Sequence, residues 1–293
     1  MIDDSLKTAL EDDLGRVGGR PFRIEGSRPQ SGGCINRAWL IEGSRQTYFV
    51  KCNEAAALGM FEAEAAALEA LRAAEAIRVP APVASGAAGR YSYLVLEALP
   101  LGGPKVGSWE AMGRQLADLH RHCAEHHGWQ RDNVIGSTPQ ENGWLPDWAA
   151  FFRERRLRPQ IERARANSYR LPGADQLLER VEALLEGHSP APSLLHGDLW
   201  SGNAGFLDDG TPVIFDPATY YGDRETDLAF SEFFGGFPAE FYRAYHSAWP
   251  FPPGFEERKT LYNLYHVLNH ANLFGSSYAR QAKAMIEELV ERT

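Results

Sequence analysis

Residues 194–203 read LLHGDLWSGN, and this turn places Asp198, an indole ring and Asn203 close together. A second short apolar segment, Val213-Ile-Phe215, ends in Asp216. Phosphoryl transfer to a hydroxyl needs one acid that accepts the hydroxyl proton, together with an acid and an amide that hold Mg²⁺ against a triphosphate. The spacing therefore suggests Asp198 as the base, with Asn203 and Asp216 as the metal ligands.

The same residues have a plainer interpretation. Asp and Asn side chains commonly bond to the backbone of their own loop, so an Asx-turn network would explain each of them separately. For isolated residues that network is the commoner case. It becomes the weaker explanation because this chain also contains a candidate lysine–glutamate pair and a hinge-like segment.

Glu64 is a charged residue within an apolar helical stripe. Phe61, Leu68 and Leu71 share one face of a predicted helix, and Glu64 falls among them. An acid in such a stripe is costly unless it is paired. Lys51, which closes the strand-like run Tyr-Phe-Val-Lys, is a natural partner, although an exposed lysine and a glutamate at the edge of the stripe fit the sequence equally well.

Strand-like runs alternate with one long helix in the first hundred residues, whereas helices dominate the rest of the chain. The predicted strands are 22–27, 38–42, 47–51 and 91–97, and the predicted helices are 61–76, 109–122, 144–165, 174–185, 227–234, 239–248 and two between 256 and 292. The segment LPLGGP at 99–104 is rich in residues that break secondary structure, which is typical of a domain boundary. We therefore predict an α+β, bilobal fold with a small β-sheet lobe (1–98), a hinge at about 97–104 and a larger, mostly helical lobe (99–293).

The composition narrows the classes of function. A formal net charge of −9 argues against nucleic acid or an anionic membrane as the partner, and is compatible with a cationic small molecule. Cys34, Cys52 and Cys123 show no paired spacing, which indicates a reducing compartment. The acidic N-terminus does not look like a secretory signal, and no uncharged apolar run approaches about 18 residues. We expect a cytoplasmic protein.

Two other local patterns have weak functional interpretations. The turn Gln30-Ser-Gly-Gly-Cys34 could let backbone N–H groups approach a phosphate, although an ordinary hairpin turn is the simpler interpretation. The chain contains no GxxxxGK[ST] motif, which excludes a P-loop NTPase. Four histidines and Cys123 crowd positions 120–127, and we interpret them as a solvated helix end rather than a zinc site.

Taken together, the motifs resemble the fructosamine kinase family, also called ketosamine-3-kinases, which has a protein-kinase-like fold related to aminoglycoside and choline kinases. The resemblance runs nearly end to end and is carried by SGGCIN, FVKCN, MFEAE, DNVIGSTPQ, LLHGDLWSGN, VIFDPATYYGDRETDLA, FFGGFP and LYNLYHVLNHANLFG, in that order. His196-Gly-Asp198 stands where protein kinases have HRD, and Asp216-Pro-Ala218 stands where they have DFG. The resemblance implies an N-terminal nucleotide-binding lobe and a C-terminal catalytic and substrate-binding lobe.

The resemblance also implies a role for each matched residue. Asp198 would accept the proton of a sugar hydroxyl, while Asn203 and Asp216 bind Mg²⁺. The implied ATP-binding residues are the phosphate loop Ser31, Gly32 and Gly33, the pair Lys51 and Glu64, and the hinge Glu97, Ala98 and Leu99. The implied reaction is ATP-dependent phosphorylation of the 3-hydroxyl of a ketoamine, either a small molecule or a glycated protein lysine. The phosphorylated product would then lose its sugar, which amounts to deglycation.

Several assignments stay open at this stage. Trp200, Arg224 and His270 are candidates for substrate contact, but each could equally pack or pair within the protein. Asp227 is expected to cap a helix or anchor the catalytic loop rather than to take part in chemistry. The alternatives to a ketoamine kinase are a kinase for another small hydroxylated amine, of aminoglycoside or choline type, and a nucleotide-binding pseudokinase. A monomer and a homodimer both fit the sequence.

Overall fold

The computed structural model describes residues 2–30 and 35–292, which form two compact units. Unit 1 comprises Met1–Val106 and Gly205–Phe215, and unit 2 comprises Gly107–Ala204 and Asp216–Thr293. In chain order the strands are β1 Gly26–Gln30, β2 Arg37–Glu42, β3 Thr47–Glu54, β4 Pro82–Ala88, β5 Tyr91–Glu97, β6 Leu101–Gly102, β7 Asn133–Ile135, β8 Thr138–Gln140, β9 Ser193–Leu194, β10 Ala204–Leu207, β11 Pro212–Ile214 and β12 Tyr221–Gly222. The helices are α1 Asp4–Val17, α2 Leu58–Ala73, α3 Ser108–His120, α4 Trp148–Phe152, α5 Arg158–Ala166, α6 Ala174–Leu184, α7 Glu225–Phe233, α8 Ala239–Ala248, α9 Phe255–Phe274 and α10 Ser276–Glu291.

These units differ in two places from the lobes drawn at residue 98. Residues 99–106 and the segment 205–215 both belong to unit 1 rather than to the helical unit. The reason is backbone pairing, because β10 pairs with β6 and the N–H of Ile214 donates to the carbonyl of Arg78 at 3.0 Å. Such pairing joins residues far apart in sequence, so a boundary drawn from local composition misses it.

Unit 1 is built on a five-stranded antiparallel sheet in the order β1-β2-β3-β5-β4. Three of its strands closely match the predicted runs, whereas β1 overlaps the predicted 22–27 only at Gly26 and Ser27. The sequence did not indicate β4, because PVASGAA contains few of the branched and aromatic residues that favour strands. Its pairing with β5 gives it its conformation.

The sheet of unit 1 packs against two helices. The unpredicted helix α1 buries Leu6, Leu10 and Leu14, spaced at i, i+4 and i+8, in a cluster with sheet residues that include Val50 and Cys52. Asp3 caps α1, since its Oδ1 accepts the N–H of Ser5 at 3.0 Å. Helix α2 presents the predicted apolar face, because Phe61, Leu68 and Leu71 are buried.

Unit 2 is mostly helical, and α9 packs against α5, α7 and α10. The predicted single helix over 144–165 is wrong in detail. It begins only after the capping residue Asp147, and a π-helical turn, Arg153–Leu157, separates α4 from α5. Pro159 lacks the N–H that would bond to the carbonyl of Arg155, and the Arg156 guanidinium donates to that carbonyl instead. In the part of the chain that the structure describes, no helix is long and apolar enough to cross a membrane.

Candidate active site

The structure forms the predicted pair of Lys51 and Glu64 within unit 1. Val50 and Cys52 point to the core shared with α1, so the alternation of the strand turns Lys51 to the opposite face, toward α2. The Lys51 Nζ lies 2.5 Å from Glu64 Oε1, and the two side chains are 8% and 12% exposed. A nearly buried charge pair held by a strand and a helix can present a lysine in a fixed position.

The predicted hinge begins where β5 ends. The Glu97 carboxylate forms an ion pair with Arg78 and accepts the N–H of Ala81 at 3.2 Å. This side chain therefore fixes the local backbone, while Ala98 and Leu99 continue toward β6 half-buried. The predicted phosphate loop, Ser31 to Gly33, lies outside the described residues, as does Cys34.

In unit 2 a tight turn presents Asp198. Gly197 has a φ of +82°, and a Cβ at this position would lie 2.1 Å from the carbonyl oxygen of Ala218, so only glycine fits. The N–H of Ala218 donates to the carbonyl of His196 at 2.9 Å. The segment that follows Asp216 is thereby tied to the turn that carries Asp198.

Asp227 anchors this turn, as the sequence predicted. Its Oδ2 accepts the N–H of His196 at 2.7 Å, and its Oδ1 accepts the N–H of Gly197 at 2.8 Å. Asp227 lies in the first turn of α7 and is buried. A carboxylate that accepts two backbone N–H groups holds the turn more firmly than neutral acceptors would.

A chain of buried side chains continues behind Asp227. Its Oδ2 lies 3.2 Å from His120 Nε2, and His120 Nδ1 lies 2.8 Å from the hydroxyl of Tyr245. Burial lowers the pKa of His120, so the neutral ring donates from Nε2 to the carboxylate and accepts the Tyr245 hydroxyl at Nδ1. Arg224 Nη1 donates to the same hydroxyl at 3.0 Å.

The partners of Arg224 do not favour a substrate role. Besides Tyr245, its guanidinium donates to the carbonyls of Trp249 and Pro250 and lies over the Trp249 ring at 4.1 Å. The residue is buried in unit 2, at the far end of the series of hydrogen-bonded side chains that begins at Asp227. Its charge therefore serves internal packing.

Asp198, Asn203 and Asp216 come together in unit 2. Asn203 Nδ2 donates to the Asp198 carbonyl at 2.9 Å and to its Oδ2 at 3.0 Å. Asp198 keeps 22% of its side-chain surface exposed, but the surrounding protein raises its pKa to about 7. Burial is the main cause of this rise, and the charges of Asp216 and Asp227 add to it, while the Asn203 hydrogen bond opposes it. The two acids of the candidate site therefore lie within each other's electrostatic field.

His266 is a neighbour of Asp198, and the sequence left it between lining a substrate cleft and packing within the protein. Its Nδ1 lies 4.0 Å from Asp198 Oδ1, and its ring stacks on Phe230 with centroids 3.6 Å apart. Burial lowers the pKa of His266 well below its ordinary value, so the ring is neutral. The only sequence signal was its spacing of four residues from His270 on one helix.

Trp200 and His270 both contact Phe234. The Trp200 and Phe234 rings meet edge to face at 5.6 Å, and the Phe234 and His270 rings lie 5.3 Å apart. The Trp200 ring also covers Gly202, where a Cβ would lie 2.3 Å from the indole. All three aromatic residues are only half-buried, so they form a partly exposed aromatic surface that begins two residues from Asp198.

The histidine-rich segment is only in part the solvated helix end that the sequence suggested, because His122 and Cys123 are exposed whereas two of its histidines are buried. His120 ends α3 but is fully buried, and His127 is buried against Trp148 and Phe151. Within residues 2–30 and 35–292, the group with metal-ligand spacing lies elsewhere, at His188, Asp223 and Glu225. Its acids already have partners, because Arg258 binds Glu225 through two bonds of 2.7 Å and the Tyr262 hydroxyl donates to Asp223 at 2.6 Å.

Comparison with known proteins identifies the family. The family model described as fructosamine kinase matches residues 6–292. The chain belongs to the fructosamine kinase family. This confirms both the family and the enzyme class expected from the motifs.

Individual relatives agree with this assignment. The chain is 50% identical over 276 residues to a protein of Synechocystis sp. named a probable ketoamine kinase, covering 94% of each chain. It is 41% identical to a chloroplastic protein-ribulosamine 3-kinase of Oryza sativa subsp. indica, covering 92% of this chain and 80% of the relative. The crystal structure of a Haemophilus somnus protein titled "putative fructosamine-3-kinase" superposes with a TM-score of 0.90 at 34% identity, covering 96% of each chain. The protein-kinase-like fold class predicted from the sequence is confirmed.

Proposed function

We propose that this protein is an ATP-dependent kinase that phosphorylates the 3-hydroxyl of ketoamines. The 3-hydroxyl oxygen attacks the γ-phosphorus of ATP and the hydroxyl proton passes to Asp198. The bond from the γ-phosphorus to the bridging oxygen breaks with its electron pair leaving on ADP. The observation that carries this proposal is the Asp198 carboxylate, held by Asn203 in the field of Asp216 in a member of the fructosamine kinase family.

Asp198 has the properties that a general base needs. A base works best when its pKa lies near the working pH, and burial with two neighbouring acids raises the pKa of Asp198 to about 7. The Asn203 amide holds one of its carboxylate oxygens in place. His266 stays neutral beside the other oxygen, so it does not lower the basicity of Asp198 as an imidazolium would.

The donor set fits Mg²⁺. Asn203 uses its Nδ2 toward Asp198, which leaves its oxygen Oδ1 as the atom that a cation would take. Asp216 supplies a carboxylate, and carboxylate and amide oxygens are the ligands that Mg²⁺ prefers. When bound, the ion would neutralise charge on the phosphates during transfer.

The ATP-binding roles rest on residues of unit 1. Lys51, held by Glu64, would bind the phosphates, and Ser31, Gly32 and Gly33 would cover them. The backbone of Glu97, Ala98 and Leu99 would bond to the adenine. The ion pair of Lys51 and Glu64 supports this proposal, since kinases place a lysine with such a pair.

The aromatic surface of Trp200, Phe234 and His270 is the proposed contact for the amine side of the substrate. A ketoamine nitrogen is cationic at neutral pH and lies close to the 3-hydroxyl, so it must bind near Asp198. Aromatic faces attract such cations, and Trp200 follows Asp198 by two positions. Because that surface is partly exposed, the ketoamine nitrogen could belong to a small free amine or to a lysine of a protein.

Phosphorylation at this position would lead to deglycation. Phosphate is a better leaving group than hydroxide and would stand next to the carbonyl carbon, so its loss and subsequent hydrolysis would release the amine. The cytoplasmic location expected from the unpaired cysteines stays a prediction, and a monomer and a homodimer both remain compatible with the sequence.

A substrate panel tests the proposal. We would measure ADP release with ribulose-lysine, fructose-lysine, an aminoglycoside and choline, and locate the phosphate by ³¹P NMR. The proposal expects turnover with ketoamines and phosphate on the 3-oxygen. Turnover with the aminoglycoside or choline alone would instead assign the protein to another class of small-amine kinases. Nucleotide binding without turnover on any substrate would indicate a pseudokinase.

A further inference from the structure

The hairpin β7–β8 contributes two buried amides that the sequence motif DNVIGSTPQ did not explain. Asn133 begins the hairpin and Gln140 ends it, and both are buried in unit 2. Gln140 Nε2 donates to the carbonyl of Ala218 at 3.1 Å, and Asn133 Nδ2 donates to the carbonyl of Thr219 at 2.9 Å. The hairpin thus holds two consecutive carbonyls just after Asp216.

Asp216 has a backbone conformation that needs such support. Its φ is +58°, in the left-handed region that non-glycine residues enter at a cost of about 1–3 kcal/mol. Pro217 follows, with its own φ restricted by the ring. Such a conformation persists only where the surroundings determine it, and the bonds to Ala218 and Thr219 help to hold the backbone that carries the Asp216 carboxylate.

A buried arginine determines which way the oxygen and nitrogen of these side-chain amides point. Arg156 can only donate, and its Nη2 bonds to Asn142 Oδ1 at 2.7 Å. Asn142 must therefore turn its Nδ2 toward Asn133 Oδ1, at 2.8 Å. With that oxygen engaged, Asn133 presents its Nδ2 to Thr219.

Gln140 is oriented in the same way. Its Nε2 faces two acceptors, Asn133 Oδ1 at 2.8 Å and the Ala218 carbonyl, while its Oε1 accepts the hydroxyl of Tyr265 at 2.5 Å. In this hydrogen-bond network, which begins at Arg156, no side-chain amide can flip by 180°. A flip would place two donors or two acceptors against each other. The hairpin is therefore built to donate toward the segment after Asp216.

We propose that Gln140 and Asn133 are positioning residues for Asp216, which set how strongly the site binds Mg²⁺. This inference rests on the proposed role of Asp216 as a metal ligand. Groups that orient a ligand from behind typically change metal affinity about 10- to 100-fold when they are removed. Their effect should therefore appear in metal binding and not only in stability.

The experiment measures the affinity for AMP-PNP by calorimetry, once with Mg²⁺ and once with EDTA. The affinity ratio is the affinity with Mg²⁺ divided by the affinity with EDTA. This ratio reports the metal contribution alone and is insensitive to a uniform loss of nucleotide affinity. Gln140→Met keeps the length of the side chain and removes its donors, and we expect it to reduce the ratio about tenfold or more. Asn269→Leu is the matched control, because Asn269 is another 2%-exposed amide that bonds to this hairpin, at the carbonyl of Ile135 rather than after Asp216.

The outcomes separate the two proposals. If Asp216→Asn leaves the ratio of the parent protein unchanged, the metal role of Asp216 fails, and this inference fails with it. A second outcome removes only the positioning role. In it, Asp216→Asn lowers the affinity ratio to about one, whereas Gln140→Met keeps the ratio within about twofold of the parent value. Gln140→Met then only lowers the melting temperature, as Asn269→Leu does. Should Gln140→Met not fold, Gln140→Asn, which withdraws the amide by one methylene, decides the same comparison.

Discussion

The buried charged side chains of the two units are arranged in opposite ways. In unit 1 Lys51 and Glu64 meet as opposite charges 2.5 Å apart, so the pair is balanced within the protein. In unit 2 burial raises the pKa of Asp198, and the charges of Asp216 and Asp227 raise it further. The first arrangement holds a cation in a fixed position, whereas the second gathers acids whose repulsion a divalent cation would relieve. This difference fits the magnesium-dependent phosphotransferase proposed above.

The largest expected effect comes from the acid of the second unit. Asp198→Asn keeps the size of the side chain but removes the base, so we expect ketoamine turnover to fall by about 10²–10⁴-fold. ADP release measures this fall, and calorimetry with AMP-PNP should show nucleotide affinity close to that of the parent protein. Turnover that survives near the parent level would show that another group accepts the proton.

Breaking the ion pair of Lys51 and Glu64 tests whether the paired charges of unit 1 contribute to stability and to ATP binding. Glu64→Gln removes the carboxylate charge that faces the nearly buried Lys51 ammonium, and we expect about 3 kcal/mol less stability in urea unfolding together with a higher KM for ATP. Glu69→Ala, on the exposed side of the same helix, should change stability by less than about 0.5 kcal/mol. Equal effects from both variants would mean that the pair contributes nothing specific.

The anchor of the catalytic turn comes next. Asp227→Asn replaces one carboxylate oxygen by an amino group that faces a backbone donor, and we expect a loss of about 2 kcal/mol in stability. Turnover should fall more than the ATP KM changes, because the turn that carries Asp198 loosens. Asp118→Asn, at an exposed acid of α3, is the control for loss of a negative charge. A variant that loses stability without any loss of kcat would restrict Asp227 to folding.

The smallest effect concerns pH. Burial lowers the pKa of His127 from 6.5 to about 4, so the unfolded chain takes up a proton that the folded protein resists. The stability that this neutral ring contributes is complete above pH 6.5 and is lost progressively as the pH falls toward 4. His127→Phe keeps the packing against Trp148 and removes the titration, so its urea midpoint should fall less between pH 7 and 5 than that of the parent protein. His122→Gln, at an exposed histidine of the same segment, should retain the parent slope.

The fold was predictable where the pattern is local and strong. Strand β3, helix α2 and the helices after residue 108, except for the break between α4 and α5, follow from alternation and from apolar spacing in the sequence. Helix α1 and strand β4 were missed, the first because its short leucine stripe lies among acids, and the second because its small residues carry no strand signal. The histidines at 120 and 127 were misread because local composition does not reveal what packs against a segment.

The amino-acid sequence was enough to identify the family and to predict the chemical groups of the site, namely the acids and amide of HGDLWSGN and FDP and the lysine and glutamate of unit 1. How those groups are held became visible only in the folded protein. Asp227 reaches the backbone of Gly197 across 30 positions, and Gln140 and Asn133 reach Ala218 and Thr219 across 78 and 86. His266 comes next to Asp198 only because α9 packs against α7. Residue types follow local rules of charge and hydrogen bonding, whereas burial, pKa and orientation depend on neighbours that the chain brings together only when it folds.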